Sequence, residues 1–131
     1  MGGRKTIKDF VGERFLAPLD QSEYKITDLP PSFDWKDKDG IVSPVKDQRS
    51  CGSCWAFAST EAVESAAAIA DGELKILAPQ QLVDCTPNPK HCGGTGGCEG
   101  ATGELAYTYL MGSQGLTLEA DYPYRATDQT C

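Results

Sequence analysis

The sequence is poor in histidine, the residue that most often does acid–base work at neutral pH, and in asparagine. It holds one histidine, His91, and one asparagine, Asn88, in 131 residues. Basic charge is also short: twelve Lys and Arg stand against nineteen Asp and Glu, a net charge of −7. That excludes a phosphate-tracking nucleic-acid binder, which needs a basic face. No run approaches the ~20 apolar residues of a membrane-spanning helix. Met1-Gly2-Gly3-Arg4-Lys5-Thr6 leads into no apolar stretch of a secretory signal. The same residues fit a myristoylation pattern, but disulfide-style cysteines do not suit a cytosolic anchor, so a fragment start is the expectation. What is present is 40% hydrophobic and 24% charged residues, enough for a packed core.

The charge is uneven. Residues 1–28 carry equal numbers of basic and acidic residues, so the whole excess of acid lies in 29–131, together with all six cysteines. The Leu29-Pro30-Pro31 step is the expected boundary, because paired prolines resist helix and sheet alike. Three helices are predicted. The first spans about 53–70. It is alanine-rich, free of Gly and Pro, and stopped at Asp71-Gly72. Trp55-Ala56-Phe57-Ala58 is apolar on all sides, which predicts burial. The second spans about 79–84, with Pro79 in its first turn, and the third about 103–111. Residues 87–97 read as a Pro/Gly loop. Weak strand signals fall at 41–45 and 116–118. No internal repeat is present.

The segment Gln48-Arg49-Ser50-Cys51-Gly52-Ser53-Cys54-Trp55-Ala56-Phe57 carries the chemistry. Cys54 falls in the first turn of the long helix, where unpaired amides and the helix dipole favour an anion. A thiolate is stabilised there, and the thiolate is the nucleophile. Gln48 can donate, with the Cys54 backbone amide, to an oxyanion formed at an attacked carbonyl. Gly52 permits close backbone approach by a substrate. A lone cysteine in this place reads first as a half-cystine or a small buried residue; the whole string decides otherwise.

This string resembles the papain family of cysteine peptidases, cathepsin-L-like in its Cys-Gly-Ser-Cys-Trp with an upstream Gln. Leu29-Pro30-Pro31-Ser32-Phe33-Asp34-Trp35 resembles the family's mature N-terminus, and Val45-Lys46-Asp47 its approach to the nucleophile. Leu77 to Cys85, Gly97-Cys98-Glu99-Gly100-Ala101 and Asp121-Tyr122-Pro123-Tyr124 resemble its later segments. The resemblance covers 29–131; residues 1–28 look like the tail of an inhibitory propeptide. It implies an α+β, two-lobed fold, of which this chain is mainly the helical left lobe with the long central helix. It implies Cys54 as nucleophile and Gln48 as oxyanion donor of a cysteine endopeptidase working through an acyl-enzyme. It places Gly52, Ser53, Trp55, Gly100, Ala101, Thr102 and Gly103 against the substrate, with the backbone of Gly100 holding the peptide as an added strand. It implies disulfides Cys51–Cys98 and Cys85–Cys131, which leaves Cys92 extra, with three fates open to it: a free thiol, a bond outside this chain, or a shuffled bridge such as one with Cys51. No cofactor or metal is implied. The partners implied are peptide substrates, the propeptide and a second lobe, in an acidic lysosome-like vesicle or outside the cell.

The sequence departs from the family in several places. Arg49 stands where glycine is common. Ala78 replaces a serine cap, a change worth ~1 kcal/mol of helix stability. Glu99 and Ala101 replace an asparagine and a glycine, and Gly103 replaces a larger residue, which predicts a roomier pocket. The largest departure is that the family's histidine base and asparagine lie ~130–150 residues after the nucleophile, whereas only 77 residues follow Cys54. His91 and Asn88 sit too early, in a loop. The expectation is therefore a nucleophile-bearing half whose β-rich lobe is absent, and which aggregates or pairs when alone. Three other readings stand beside it. One is a thiol–disulfide oxidoreductase using Cys51-Gly52-Ser53-Cys54. Another is a zinc module drawing on Cys51, Cys54, Cys85, His91, Cys92 and Cys98. The third is a peptidase homologue without catalytic power.

Overall fold

The computed structural model describes Thr27 and residues 29–131. The expected propeptide tail and the myristoylation pattern lie outside the described residues, Thr27 apart. The chain divides after Phe33, a little beyond the Leu29-Pro30-Pro31 step, and the second unit is Asp34–Cys131. That unit is described below.

Helix α1 is Cys54–Asp71, α2 is Pro79–Cys85 and α3 is Gly103–Gly112. Short 3₁₀ turns occupy Trp35–Asp37 and Gly97–Glu99. The predicted helices are all present, within a residue or two at their ends. Asp71-Gly72 acts as read: Gly72 takes a left-handed φ of 76° and its N–H closes on Ala68 O at 2.9 Å. Helix α2 starts at Ala78 with no side-chain cap, so Pro79 alone marks the first turn. In α3, the Glu104 carboxyl is held below its ordinary range, first by its own backbone N–H and then by the Thr102 hydroxyl.

Trp55, Ala56, Leu82, Val83 and Ala106 form the core where α1, α2 and α3 meet. The long helix is only partly covered. Trp55, Ala56 and Phe57 are buried, but Ala58 is exposed, and beyond Thr60 only Glu64 and Ala68 are buried. The all-round burial expected of this helix is therefore not found, even in its first turn, where Cys54 is exposed, because α2 and α3 cover a single side.

Neither predicted strand forms. Residues 41–45 make no ladder, and Val45 is 97% exposed. Residues 116–118 reach one antiparallel bridge, Leu77 with Leu118. It is flanked by Ala78 N–H to Thr117 O at 2.9 Å and Glu119 N–H to Ile76 O at 3.0 Å. A strand needs a neighbour of similar length to satisfy its backbone, and among the described residues neither segment has one. No helix among the described residues is long and apolar enough to cross a membrane.

Candidate active site

The Asp47–Cys51 turn delivers the chain to the start of α1. The Asp47 carboxylate accepts the Arg49 N–H at 2.8 Å, and Cys51 N–H closes on Gln48 O at 3.4 Å. Arg49 takes φ 53°, a left-handed conformation that costs a side-chain-bearing residue energy. This is the place where glycine is common in the resembled family. Arg49→Gly is therefore expected to raise stability by ~0.5–1 kcal/mol, the relieved strain exceeding the added chain entropy. A higher urea midpoint with an unchanged slope checks this; a lower midpoint contradicts it.

One covalent and several polar links fix the turn, and a second disulfide lies at the end of α2. Cys51 is bonded to Cys98 and Cys85 to Cys131. Gly52 N–H donates to Cys98 O at 2.8 Å, and the Trp55 indole N–H donates to Gly97 O at 3.1 Å. A Cβ on Gly52 would lie 2.5 Å from Cys98 O. The backbone that closely approaches Gly52 is thus the protein's own, where the sequence suggested a substrate. Ser53 is fully buried, with its hydroxyl 2.6 Å from that of Tyr124. Ser53 and Trp55, expected against substrate, turn their side chains inward, because they join the start of α1 to the rest of the fold.

Cys54 is the first residue of α1 and carries an exposed free thiol. Its backbone N–H makes no hydrogen bond among the described residues. The Gln48 side chain lies on the adjoining turn. One of its amide hydrogens goes to Cys51 O at 2.9 Å, which orients the group and leaves the second hydrogen available. A thiol, a free helix-start amide and an oriented carboxamide thus come from seven consecutive residues, Gln48 to Cys54.

The substrate-side residues follow Cys98. Gly100 has φ 93° and its carbonyl accepts from Gly96 N–H at 2.8 Å, so only its N–H remains. Ala101 makes no backbone hydrogen bond among the described residues. Thr102 precedes α3 and Gly103 begins it. A Cβ on Gly103 would meet Ser59 Oγ at 3.4 Å, so space at that position borders α1.

His91 and Asn88 are elsewhere occupied. Asn88 closes its own loop with three bonds, from its amide to Cys92 O and Gly94 O at 3.0 and 2.9 Å and from Cys92 N–H to its carbonyl at 2.9 Å. Three of the four hydrogen bonds that this carboxamide can make are thus spent inside its own loop. His91 is exposed at φ 54°, and its side chain makes no hydrogen bond or ion pair among the described residues. Cys92 is free and exposed. A cavity of about 570 Å³ lies beside it, lined by Pro87, Leu105 and Tyr109 among others, and shares no residue with the Cys54 site.

The redox and zinc readings lose their partner and ligands here. Cys51 is bonded to Cys98, so it is no redox mate of Cys54. Three of the six ligands of the zinc reading lie in disulfides. No group of three His, Cys, Asp or Glu among the described residues could hold a metal ion.

Sequence reasoning named Tyr124 only within a segment of resemblance and missed its place at the site, where its hydroxyl also donates to Gln48 O at 2.8 Å. It missed the Lys46–Glu64 ion pair as well. Neither carries a local signal, since each joins residues far apart in the chain.

Comparison with known proteins places this arrangement. The family described as papain family cysteine protease matches residues 29–131. Pro-cathepsin H of Bos taurus is 49% identical over 102 residues, covering 78% of this chain and 29% of that protein. Cysteine proteinase 15A of Pisum sativum is 48% identical over 108 residues, covering 80% and 30%. The bromelain protease of Ananas comosus, solved with the E64 inhibitor, superposes with a TM-score of 0.69 at 40% identity, covering 79% of this chain and 44% of that one. The chain thus spans about three tenths of the length of these curated relatives. The fold is papain-like, with the described part corresponding to its helical lobe. From its motifs, its fold and these similarities, the chain belongs to the papain family of cysteine proteases.

Proposed function

We propose that the chain supplies the nucleophile-bearing lobe of a cysteine endopeptidase. Cys54 attacks the scissile carbonyl, and the Gln48 amide and the Cys54 N–H stabilise the resulting oxyanion. The observation that carries this reading is the exposed Cys54 thiol at the first residue of an 18-residue helix, beside the oriented Gln48 amide. The unpaired amides and the dipole of the helix start attract negative charge developed at this place.

The peptide main chain is held at the Gly100 N–H and at Ala101, whose backbone groups are unpaired among the described residues. Thr102 and Gly103 border the side-chain pocket. The proton acceptor is a histidine, oriented by an asparagine, from sequence outside these 131 residues. The engagement of Asn88 in its own loop supports this. Residues 1–28 are read as a propeptide tail, in keeping with the precursor name of the bovine relative. Two disulfides support placement outside the cell or in an acidic vesicle, where such bonds persist.

Iodoacetamide labelling below neutral pH tests this. The chain has two free thiols, both exposed, so Cys92 serves as the internal reference. Cys54 is expected to react at least about tenfold faster than Cys92. Equal rates, or faster labelling of Cys92, overturn the proposal.

A further inference from the structure

The two donors proposed for the oxyanion sit on different segments. Gln48 belongs to the approach turn, and the Cys54 N–H belongs to α1. Such a pair works only if both donors are held in place before the reaction, because the stabilisation comes from preorganised dipoles. We propose that Tyr124 is the positioning residue that locks these two segments together. This rests on the reading of Cys54 and Gln48 given above.

The hydroxyl of Tyr124 lies between the two arms. It is 2.6 Å from Ser53 Oγ, on the residue immediately before Cys54, and 2.8 Å from the carbonyl oxygen of Gln48. Proton counting fixes the direction. A carbonyl only accepts, so the single phenolic hydrogen goes to Gln48 O. The oxygen of Tyr124 then accepts from the Ser53 hydroxyl, whose other contact, Cys51 O, is longer at 3.5 Å. The result is one directed chain: Ser53 O–H to Tyr124 O–H to Gln48 C=O.

Tyr124 is itself held from several sides. Its ring meets Phe57 edge-on, with centroids 4.7 Å apart and planes at 84°. Its N–H donates to Glu119 Oε1 at 2.8 Å, and the next residue's N–H donates to Gln80 Oε1 at 2.8 Å. Gln80 is fully buried in α2, and its amide donates in turn to Thr127 O at 2.8 Å. One residue pair earlier, the Tyr122 hydroxyl donates to Asp84 Oδ2 at 2.8 Å, and this bond is the main cause of its raised pKa. The segment 119–128 is therefore clamped to α2, and Tyr124 transmits that rigidity to both oxyanion donors. Tyr124 touches no reacting atom.

Two reactions at the same sulfur separate this role from a structural one. Both are run on a Cys92→Ser background of the full chain. Iodoacetamide forms an S–C bond with loss of iodide and builds no oxyanion. A peptide p-nitrophenyl ester acylates the sulfur through an oxyanion: the S–C bond forms, the C–O bond breaks and nitrophenolate leaves with the electron pair. The thiol proton passes to buffer, so no protein base is needed.

Removing an oxyanion donor outright costs ~10²–10³ in rate. Loosening one is expected to cost less, so Tyr124→Phe should slow acylation about tenfold while alkylation stays within about twofold. Ser53→Ala, which cuts one end of the chain, should give a smaller effect of the same kind. On a Gln48→Ala background, where only the Cys54 N–H remains to be positioned, Tyr124→Phe should cost less than it does in the parent. Unchanged acylation in Tyr124→Phe overturns the proposal, as does an equal fall in both reactions. Full acylation in Cys54→Ala overturns instead the underlying assignment of the nucleophile.

Discussion

Replacing Cys51 and Cys98 together by alanine is expected to cost about 4 kcal/mol of stability. The bond spans a sequence separation of 47, and its loss frees that loop in the unfolded chain. The bond also acts locally. It joins the turn before α1 to the turn before α3, at the place where Gly52 N–H meets Cys98 O and the Trp55 indole meets Gly97 O. Those two hydrogen bonds survive the substitution on paper, but each contributes only ~1 kcal/mol net. Urea denaturation of the double variant, compared with the parent under non-reducing conditions, gives the number. A loss below ~1 kcal/mol would show that the hydrogen bonds and packing hold the two turns without the bond.

The second large effect is expected at Glu64. It is 1% exposed in the middle of α1, and its Oε1 accepts from both Lys46 Nζ and the Leu77 N–H, the latter at 2.7 Å. Its other oxygen has no partner among the described residues. Glu64→Ala removes an acceptor from two donors at once and leaves the Lys46 ammonium unpaired. Breaking a buried pair in this way costs ~3–5 kcal/mol. The low end, about 3 kcal/mol, is expected because the Lys46 side chain is 14% exposed and can reach water. A paired replacement, Glu64→Leu with Lys46→Met, should recover part of that. It would leave only the Leu77 N–H unsatisfied, at ~1–3 kcal/mol. Urea midpoints of both variants decide the matter, and a double variant worse than Glu64→Ala would contradict it. Lys46 lies two residues before Gln48, so this ion pair also ties the approach turn to α1.

Much of the site was legible because its signals are local. The stop at Asp71-Gly72, the Pro79 start and the Cys54 position at a helix N-terminus depend on backbone preferences within a few residues. The predicted strands at 41–45 and 116–118 failed for the opposite reason. Apolar residues favour a strand only when another strand lies alongside, and that is a property of distant chain. The expected burial of α1 failed in the same way: Ala58, Ala62 and Ala66 are apolar yet exposed, since coverage is decided by where α2 and α3 pack. The substrate-facing set shows a third kind of limit. Ser53 and Trp55 occupy the expected positions beside Cys54, but their side chains face inward to Tyr124 and Gly97.

The sequence by itself determined the family, the three helices and the residue types proposed for attack and oxyanion stabilisation. Each is written in contiguous motifs, and short-range stereochemistry reads them directly. The pairing of Cys51 with Cys98, implied by resemblance but left open by the residues alone, belongs to the tertiary structure. So do the Lys46–Glu64 ion pair and the hydroxyl of Tyr124 between Ser53 and Gln48. These contacts join residues 18 to 76 positions apart. Their formation depends on how the helices pack, and no local pattern encodes that.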